Sequence, residues 1–329
     1  MYDNSFHKKD ISKYSFLVTG GAGFIGSNIV EYLVKYGAGK IRVLDNLSTG
    51  FIENINIFNN YSGFEFVEGD ICDEETCAKC CTGIDYVFHQ AALGSVPRSV
   101  KNPITSNKSN IDGFLNILCA AKESKIKRFV YASSSSVYGD SPVLPKKEDA
   151  IGRPLSPYAV TKLVNELYAD VFSKTYGMEI IGLRYFNIFG PRQNPSGAYA
   201  AAIPLFVDAL MKNESPYING DGSQSRDFTF VENAVEANIK AMLTDNIKAL
   251  NRIFNIAVGE QTTINELFNI LKQCSGSTIE PKYREERQGD IKHSLADISL
   301  AKEMIGFDPQ VKIKEGLKIT FEWFKNYFY

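Results

Sequence analysis

Short apolar runs alternate with helical stretches from the start of the chain, and this alternation constrains the fold more than any other feature. The predicted strands lie at 16–19, 41–44, 64–67, 85–88, 128–131, 179–184 and 254–257. The predicted helices lie at 25–36, 74–81, 103–124, 157–176, 263–274 and 313–327. Apolar strands separated by helices are typical of a parallel sheet covered on both faces, so the pattern predicts an α/β, doubly wound fold.

Composition excludes several classes of protein. The chain has 329 residues, 44% of them hydrophobic, which is too apolar for a disordered protein and too long for one comfortable core. With 36 basic and 38 acidic residues the net charge is −2, so no diffuse field favours nucleic acid or a membrane surface. Neither an apolar run of about 18 residues nor a signal-peptide core is visible. We therefore expect a two-lobed cytoplasmic protein that binds neither nucleic acid nor membrane.

Six cysteines raise the question of a metal site, because four of them lie between Cys72 and Cys81. Cys77 and Cys80 form a C-x-x-C pair, but a zinc site needs two further ligands and the chain has only three histidines. We expect buried or idle thiols in a reducing compartment, and no metal.

A glycine-rich loop joins the first predicted strand to the first predicted helix. Gly20, Gly23 and Gly26 are spaced G-x-x-G-x-x-G, with Phe24 and Ile25 between the last two. Such a loop makes a tight turn and brings backbone N–H groups close to a pyrophosphate at a helix N-terminus. A glycine triplet alone also fits an ordinary turn, but the strand–turn–helix context favours a dinucleotide site.

An acidic residue lies at or just after the end of each of the next two strands, at the same predicted edge of the sheet. Asp45, with Asn46 beside it, is placed to accept hydrogen bonds from the adenosine ribose and to repel a 2′-phosphate, which favours NAD over NADP. Asp70 and Ile71 follow the third strand and are candidates for the adenine. The alternative for Asp45 is a loop carboxylate that caps the turn after it.

Tyr158 and Lys162 begin a predicted helix and share one of its faces, since they are four residues apart. A phenol titrates near pH 10, and a neighbouring cation makes it usable as a general base. Tyr36 and Lys40 have the same spacing, but glycines interrupt that helix. We therefore assign the catalytic role to the second pair.

Four consecutive serines, 133–136, follow the strand that is predicted to end at Tyr131. Ligands bind at the carboxyl ends of parallel strands, so these hydroxyls are expected near Tyr158. A serine run alone equally fits a solvated turn. Together with Tyr158 and Lys162, a hydroxyl that bridges substrate and phenol is the better interpretation.

These motifs carry a family resemblance over almost the whole chain. The glycine loop, the serine run with Val137-Tyr138-Gly139, and Tyr158 with Lys162 resemble the extended short-chain dehydrogenase/reductases. Within them the chain resembles the bacterial UDP-N-acetylglucosamine 4-epimerases. Stretches 184–187, 225–228 and 287–290 resemble those of nucleotide-sugar 4-epimerases in general, and 89–99, 197–201 and 293–297 carry the closer resemblance.

The resemblance implies a fold, a cofactor and a set of site residues. It implies a Rossmann-type NAD-binding domain over 1–185, to which 228–258 returns, and a smaller, loop-rich α/β lobe for the nucleotide sugar over 186–227 and 259–329. The implied NAD-binding residues are Gly20, Gly23, Phe24, Ile25, Gly26, Asp45, Asn46, Asp70, Ile71, Ala91, Ala92, Asn110, Tyr158, Lys162 and Tyr185. The implied substrate-binding residues are Gly94, Ser95, Val96, Ser134, Ser135, Tyr158, Asn187, Ala201, Arg226, Arg287, Asp290 and Ser294.

The resemblance also implies a reaction. Tyr158 takes the proton of the sugar 4-hydroxyl with the help of Ser134 and Ser135, and hydride passes from C4 to NAD. The 4-keto sugar rotates and receives the hydride on its other face, so NAD is regenerated at each turnover. A homodimer through the helices at 103–124 and 157–176 and a role in O-antigen or capsule synthesis are implied in the same way.

Several alternatives stay open at the level of sequence. Related dehydratases and decarboxylases carry carboxylates where this chain has Ser135 and Ser136, so those reactions are disfavoured. A non-catalytic sugar-nucleotide sensor on the same fold would be expected to lack Tyr158 or Lys162.

The sugar itself is also open at this level. Ser294 leaves room for an N-acetyl group in the resemblance, and it also fits the N-cap of a helix over 295–305; the two roles are compatible. Arg98 or Arg192 could pair with the carboxylate of a uronic acid. A plain UDP-glucose or UDP-galactose substrate is the third alternative.

Overall fold

The strands follow the predicted pattern closely. The computed structural model describes residues 1–194, 201–286 and 292–328. The strands are β1 (Ser15–Thr19), β2 (Lys40–Asp45), β3 (Phe64–Glu68), β4 (Tyr86–His89), β5 (Arg128–Ser134), β6 (Ile180–Tyr185), β7 (Ile188–Phe189), β8 (Tyr217–Asn219), β9 (Ser225–Arg226), β10 (Thr229–Phe230), β11 (Ile253–Ile256), β12 (Thr262–Thr263) and β13 (Lys282–Arg284). All the predicted strands are present within three residues of their expected ends.

The helices surround these strands. They are α1 (Phe24–Lys35), α2 (Glu53–Asn56), α3 (Glu74–Cys81), α4 (Val96–Lys101), α5 (Pro103–Asn107), α6 (Gly113–Glu123), α7 (Pro157–Tyr176), α8 (Ala202–Met211), α9 (Val231–Leu243), α10 (Ile264–Ser275), α11 (Ser299–Ile305) and α12 (Ile313–Phe328). A π turn over Lys108–Asp112 joins α5 to α6, so the single helix predicted at 103–124 is helical throughout but not α-helical throughout. In the described part of the chain, no helix is long and apolar enough to cross a membrane.

Seven strands form one parallel sheet in the order β11-β6-β5-β4-β1-β2-β3. The order reverses between β1 and β4, which are neighbours in register, with Thr19 beside His89. In such a sheet the carboxyl ends of the two strands at the reversal open a crevice in which ligands bind. The Rossmann-type doubly wound prediction is confirmed.

The sheet is covered on both faces because its strands alternate apolar side chains between two cores. Val18 and Phe88 belong to the cluster that includes residues of α1 and α9, whereas Leu17 and Val87 belong to the cluster that includes residues of α3 and α6. Cys77, Cys80 and Cys81 are buried in the second cluster, as predicted for structural thiols.

A third apolar cluster lies among the elements that follow β6. It contains Phe189, Phe206, Phe230, Phe268 and Phe321, from β7, α8, β10, α10 and α12. Short two-stranded pairings hold this part together: β7 with β10, β9 with β12, and β8 with β13. β11 (Ile253–Ile256) pairs with β6 at the edge of the large sheet. The domain boundaries drawn from the sequence stay a prediction.

Two local predictions were wrong. β5 continues to Ser134, so Ser133 and Ser134 are the last residues of the strand and not part of a turn after it. Ser294 does not cap a helix: α11 begins at Ser299, whose N–H donates to Oδ1 of Asp297 at 2.9 Å. Ser294 instead donates its backbone N–H to the carbonyl of Ser225 at 3.1 Å, beside β9.

Candidate active site

The glycine loop closes tightly against the neighbouring strand. Gly20 has a φ of 69°, and a Cβ atom there would lie 2.6 Å from the backbone nitrogen of Ala91. A Cβ at Gly26 would lie 2.1 Å from the Gly20 carbonyl oxygen. Any side chain at either position would displace backbone, so the loop needs glycine to bring α1 this close to β1. The first turn of α1 then faces the crevice, where its free N–H groups suit a pyrophosphate.

Asp45 lies at the end of β2 and is fixed by the glycine loop. Its Oδ2 accepts from the backbone N–H of Ala22 at 3.0 Å, and its Oδ1 accepts from that of Leu47 at 2.8 Å. Burial raises the pKa of this carboxyl, and these hydrogen bonds oppose the rise. Asn46 donates to Oδ2 of Asp70 at 2.9 Å, so Asp70 supports Asn46. The carboxylate is in the place expected for a ribose acceptor.

A cleft of about 510 Å³ runs along the carboxyl ends of the sheet strands. It brings together most residues predicted from the sequence. The predicted residues that line it are Gly20, Gly23, Phe24, Ile25, Gly26, Asp45, Asn46, Ile71, Ala91, Ala92, Gly94, Ser134, Tyr158, Lys162, Tyr185 and Asn187. The glycine loop, the Asp45 carboxylate and the tyrosine–lysine pair thus share one cavity, which fits a bound dinucleotide.

Other predicted residues do not line this cleft but form hydrogen bonds with residues close to it. Asn110 accepts from the N–H of Leu93, a cleft residue, at 2.7 Å and donates to Oγ1 of Thr161 at 3.1 Å. Ser95 caps α4 by accepting from the N–H of Arg98 at 3.2 Å. Of the described residues predicted for the site, those that do not line this cleft are Asp70, Asn110, Ser95, Val96, Ser135, Ala201, Arg226 and Ser294. Arg287 and Asp290 lie outside the described residues.

Tyr158 lies in the first turn of α7, which Ser156 caps and Pro157 begins. Its backbone N–H donates to Oγ of Ser99 at 3.0 Å, which holds the turn against α4. Burial raises the pKa of the Tyr158 phenol, and a hydrogen bond with the Ser134 side chain opposes the rise. The predicted contact between the phenol and the serine run is therefore present, through Ser134.

Lys162 follows one turn later on α7 and is buried. Its Nζ donates to the carbonyl of Ala132 on β5 at 2.7 Å. Burial lowers the pKa of Lys162 to about 8, and the negative charge of Glu166 opposes the fall. A lysine with this pKa is still largely charged at neutral pH, which favours ionisation of a nearby phenol.

Sequence reasoning missed a closed triangle of hydrogen bonds in the wall of the cleft, formed by two residues that line it and one buried behind them. Tyr185 donates to Oε1 of Gln90 at 3.1 Å, Asn238 donates to the Tyr185 hydroxyl at 2.6 Å, and Gln90 donates to Oδ1 of Asn238 at 3.1 Å. Asn238 comes from α9 and is fully buried. No local spacing links these three residues, so only the fold identifies them.

A second cavity of about 550 Å³ adjoins the first, and both are lined by Asn187 and Ile188. The predicted residues Ala201 and Arg226 line it. Tyr217 and Arg284 also line it and were not predicted; the Arg284 guanidinium lies 5.3 Å from the centre of the Tyr217 ring. An aromatic ring beside two guanidinium groups suits a base and a diphosphate.

One arginine of the 184–187 stretch, and one suggested as the partner of a uronic acid, are engaged outside the cleft. Arg184 is 2% exposed and pairs with Glu166, so it lies behind the cleft and does not line it. Arg192 donates to Oε2 of Glu31 at 2.5 Å and to the Ser27 carbonyl at 3.3 Å, which removes it as the partner of a sugar carboxylate. Arg98, the other suggestion, lines the cleft.

Comparison with known proteins agrees with this geometry. Residues 16–257 match the NAD dependent epimerase/dehydratase family. A putative UDP-glucose 4-epimerase of Methanocaldococcus jannaschii is 42% identical over 94% of this chain and 98% of its own length. The structure of a UDP-N-acetylglucosamine 4-epimerase from Methanobrevibacter ruminantium, in complex with UDP-N-acetylmuramic acid, is 45% identical with a TM-score of 0.90 over 95% of this chain and 98% of that one.

A Bacillus cereus UDP-glucuronic acid 4-epimerase in complex with UDP-glucuronic acid and NAD is 32% identical, with a TM-score of 0.87 over 95% of this chain and 99% of that one. The chain belongs to the NAD-dependent epimerase/dehydratase family, the extended short-chain dehydrogenase/reductases. Within that family it falls in the UDP-hexose 4-epimerase group, so it is an isomerase whose cofactor is NAD.

Proposed function

We propose that this isomerase interconverts UDP-N-acetylglucosamine and UDP-N-acetylgalactosamine by inverting C4. The observation that carries the proposal is the meeting of Tyr158, Ser134 and Lys162 in a cleft that adjoins a second cavity at Asn187. The cleft has the cradle for a dinucleotide, and the second cavity has room and guanidinium groups for a nucleoside diphosphate. A sugar that bridges the two lies beside the phenol.

The residues of the chain hold and move one proton in this reaction. The chemistry that NAD supplies when bound is reversible removal of hydride from the sugar C4. Tyr158 accepts the proton of the 4-hydroxyl as the keto group forms and returns it when the hydroxyl is restored. Lys162 favours the ionised phenol through its charge, and Ser134 donates to the phenolic or sugar oxygen. General-base groups of this kind contribute roughly 10²–10⁴-fold to the rate.

The loop after β5 disfavours elimination of water. Removal of a 6-hydroxyl group needs a positioned acid beside it, and Ser135 and Ser136 provide hydroxyls where a carboxyl group would be needed. The same absence of a carboxyl group disfavours decarboxylation.

Small residues around the expected sugar position support the acetamido substrate. Gly94 lines the cleft, and a Cβ atom added there would meet nothing within 4 Å. Ala201 lines the adjoining cavity. Ser294, which lies beside β9 (Ser225–Arg226), stays a proposed boundary of the C2 substituent. The 45% identical Methanobrevibacter ruminantium enzyme is named a UDP-N-acetylglucosamine 4-epimerase, which supports the same sugar.

An acidic sugar is the second candidate, because Arg98 supplies a guanidinium group to the cleft wall. A UDP-hexosaminuronic acid would place a carboxylate on the sugar ring. UDP-glucose is the third candidate, since a site that holds an acetamido group also admits the smaller hydroxyl.

We further propose a homodimer and a role in surface polysaccharide synthesis. The dimer is supported by apolar side chains that α5 (Pro103–Asn107) and α7 (Pro157–Tyr176) expose: Ile104 is 81% exposed and Leu167 59%. The polysaccharide role, in O-antigen or capsule, rests on the family resemblance alone.

A substrate panel tests the choice of sugar. The purified enzyme is given UDP-N-acetylglucosamine, UDP-glucose and UDP-N-acetylglucosaminuronic acid in turn, and NMR follows the configuration at C4. We expect the highest kcat/KM with UDP-N-acetylglucosamine. A higher kcat/KM with the acidic sugar, lost in Arg98→Gln, would replace the proposal with the second candidate.

A further inference from the structure

The last three residues of β5 (Arg128–Ser134) contact three successive turns of α7 (Pro157–Tyr176). The Ala132 carbonyl accepts from Lys162 at 2.7 Å, Oγ of Ser133 donates to Oε1 of Glu166 at 2.5 Å, and the Ser134 side chain interacts with that of Tyr158 in the cleft they both line. Tyr158, Lys162 and Glu166 are four residues apart, so they share one face of the helix. Two of these contacts involve the proposed catalytic residues, and the third, through Glu166, has no role in the mechanism above.

Glu166 is itself held by an arginine on the next strand. Arg184 donates through Nε to Oε1 at 2.9 Å and through Nη2 to Oε2 at 2.8 Å, a bidentate geometry. The Arg184 and Glu166 side chains are 3% and 5% exposed. Arg184 also donates to the Tyr138 hydroxyl at 3.0 Å and to the Glu148 carbonyl at 2.8 Å. The carboxylate therefore has one fixed position, one turn from Lys162.

Helix α7 and the neighbouring strands β4, β5 and β6 carry the titratable and charged groups of this region. They are Tyr158 and Glu166 on α7, His89 on β4, Tyr131 on β5, and Arg184 and Tyr185 on β6. Burial and the charge of Lys162 lower the pKa of His89 to about 3, so that imidazole is neutral at working pH. Burial raises the pKa of Tyr131 and Tyr185, so both are neutral as well. Glu166 is the negative charge that faces Lys162.

We propose that Glu166 is a positioning residue of the epimerase: it holds the end of β5 through Ser133, and its charge keeps Lys162 cationic beside Tyr158. This inference rests on the proposed catalytic role of Lys162 but not on the identity of the sugar. Arg184 fixes Glu166 and satisfies its remaining lone pairs, because a lone carboxylate buried there would be costly.

The test is an NMR titration of the Lys162 ammonium group in holoenzyme labelled with ¹⁵N-lysine, assigned with Lys162→Arg. Glu166→Gln removes the charge and keeps the shape of the side chain, and we expect it to lower the pKa of Lys162 by about one unit. Glu166→Asp, which keeps the charge, should leave that pKa near the parent value. The matched control is Glu179→Gln, because Glu179 also pairs with an arginine, Arg128, at the opposite end of the same strands.

A pH–rate profile gives the second readout, measured with whichever UDP-sugar the parent converts. The alkaline limb of kcat, where Lys162 loses its proton, should move to lower pH by the same amount in Glu166→Gln and stay in place in Glu179→Gln. If Glu166→Gln does not fold, the double variant Glu166→Gln/Arg184→Gln leaves no unpaired buried charge, and the shift is expected in the same direction.

A Lys162 pKa that is unchanged in the folded variant overturns the proposal and leaves Glu166 with a structural role alone. An inactive parent with a normal Lys162 shift would instead refute the proposed function and not this inference.

Discussion

Individual residues at the site depend on burial for their chemistry. Tyr158 and Lys162 lie in the wall of one cleft, where burial acts on the two groups in opposite directions: it raises the pKa of the phenol and lowers that of the ammonium. The pair therefore needs compensating partners, and Ser134 and Glu166 provide them. Replacing Ser134 or Glu166 is therefore expected to change the protonation of Tyr158 and Lys162 more than the affinity for the ligands.

His89 makes the pH dependence of stability predictable. Its ring is buried, its Nδ1 lies 2.9 Å from Oγ1 of Thr19, and its pKa is lowered to about 3 by burial and by the charge of Lys162. An unfolded histidine titrates near pH 6.5, so below that pH the unfolded chain binds a proton that the folded chain does not. The contribution of His89 to the free energy of unfolding should fall by about 1.4 kcal/mol per pH unit, or roughly 2 kcal/mol from pH 6.5 to 5.

The measurement is the free energy of unfolding in urea at several pH values. His89→Gln should be less stable than the parent at pH 7, because it loses buried packing, but its loss on acidification should be smaller by about 2 kcal/mol. His293→Gln, at an exposed position, is the control. Equal acid sensitivity of the parent and His89→Gln would show that His89 does not titrate in this way.

The proposed homodimer depends on two neighbouring helices. α5 (Pro103–Asn107) and α7 (Pro157–Tyr176) pack against each other, and together they expose Ile104, Val160, Leu167 and Val171. Exposed apolar side chains on neighbouring helices are typical of an interface. Ile104→Glu/Leu167→Glu should convert a dimer to a monomer of about 36.7 kDa, as measured by light scattering during size-exclusion chromatography.

Ile247→Glu is the matched control for that experiment, because Ile247 is 80% exposed on a separate turn. It should leave the mass of the parent unchanged. A monomeric parent, or a double variant that remains dimeric, would refute the proposed interface.

The elements of the sheet domain could be predicted because their signals are local. β1, β2 and the helix between them follow from apolar runs and glycine spacing, and Tyr158 with Lys162 follows from helix periodicity. The two-residue strands outside the large sheet are too short to show a periodic pattern of apolar residues in the sequence. The wrong expectation for Ser294 has the same cause: N-cap preference identified a serine, but the helix begins beyond Asp297.

Contacts between residues that are far apart in the chain could not be predicted from the sequence. Gln90 and Asn238 lie 148 residues apart, and the pairing of Arg184 with Glu166 follows from no motif. In each case a buried polar group must find a partner, and which partner it finds depends on how the sheet brings the chain together.

At the scale of the whole molecule, the small negative net charge has to be reconciled with ligands that are themselves anionic. The net charge of −2 excludes a diffuse anionic partner, yet a UDP-sugar and a dinucleotide are both anionic. Arg226 and Arg284 in the second cavity, Arg98 in the cleft and the N-terminus of α1 place positive groups where we propose that the ligands bind. Binding of this kind needs a few positioned donors and not a basic surface.

The most direct test of the account is an NMR time course of UDP-N-acetylglucosamine with the purified enzyme and no added cofactor. UDP-N-acetylgalactosamine should accumulate to equilibrium with the parent, because we expect NAD to co-purify with the enzyme and to be regenerated at each turnover. Tyr158→Phe, which removes only the hydroxyl group, should slow the conversion by at least about 100-fold. Conversion by Tyr158→Phe as fast as by the parent would contradict the assignment of Tyr158 as the general base, and with it the mechanism.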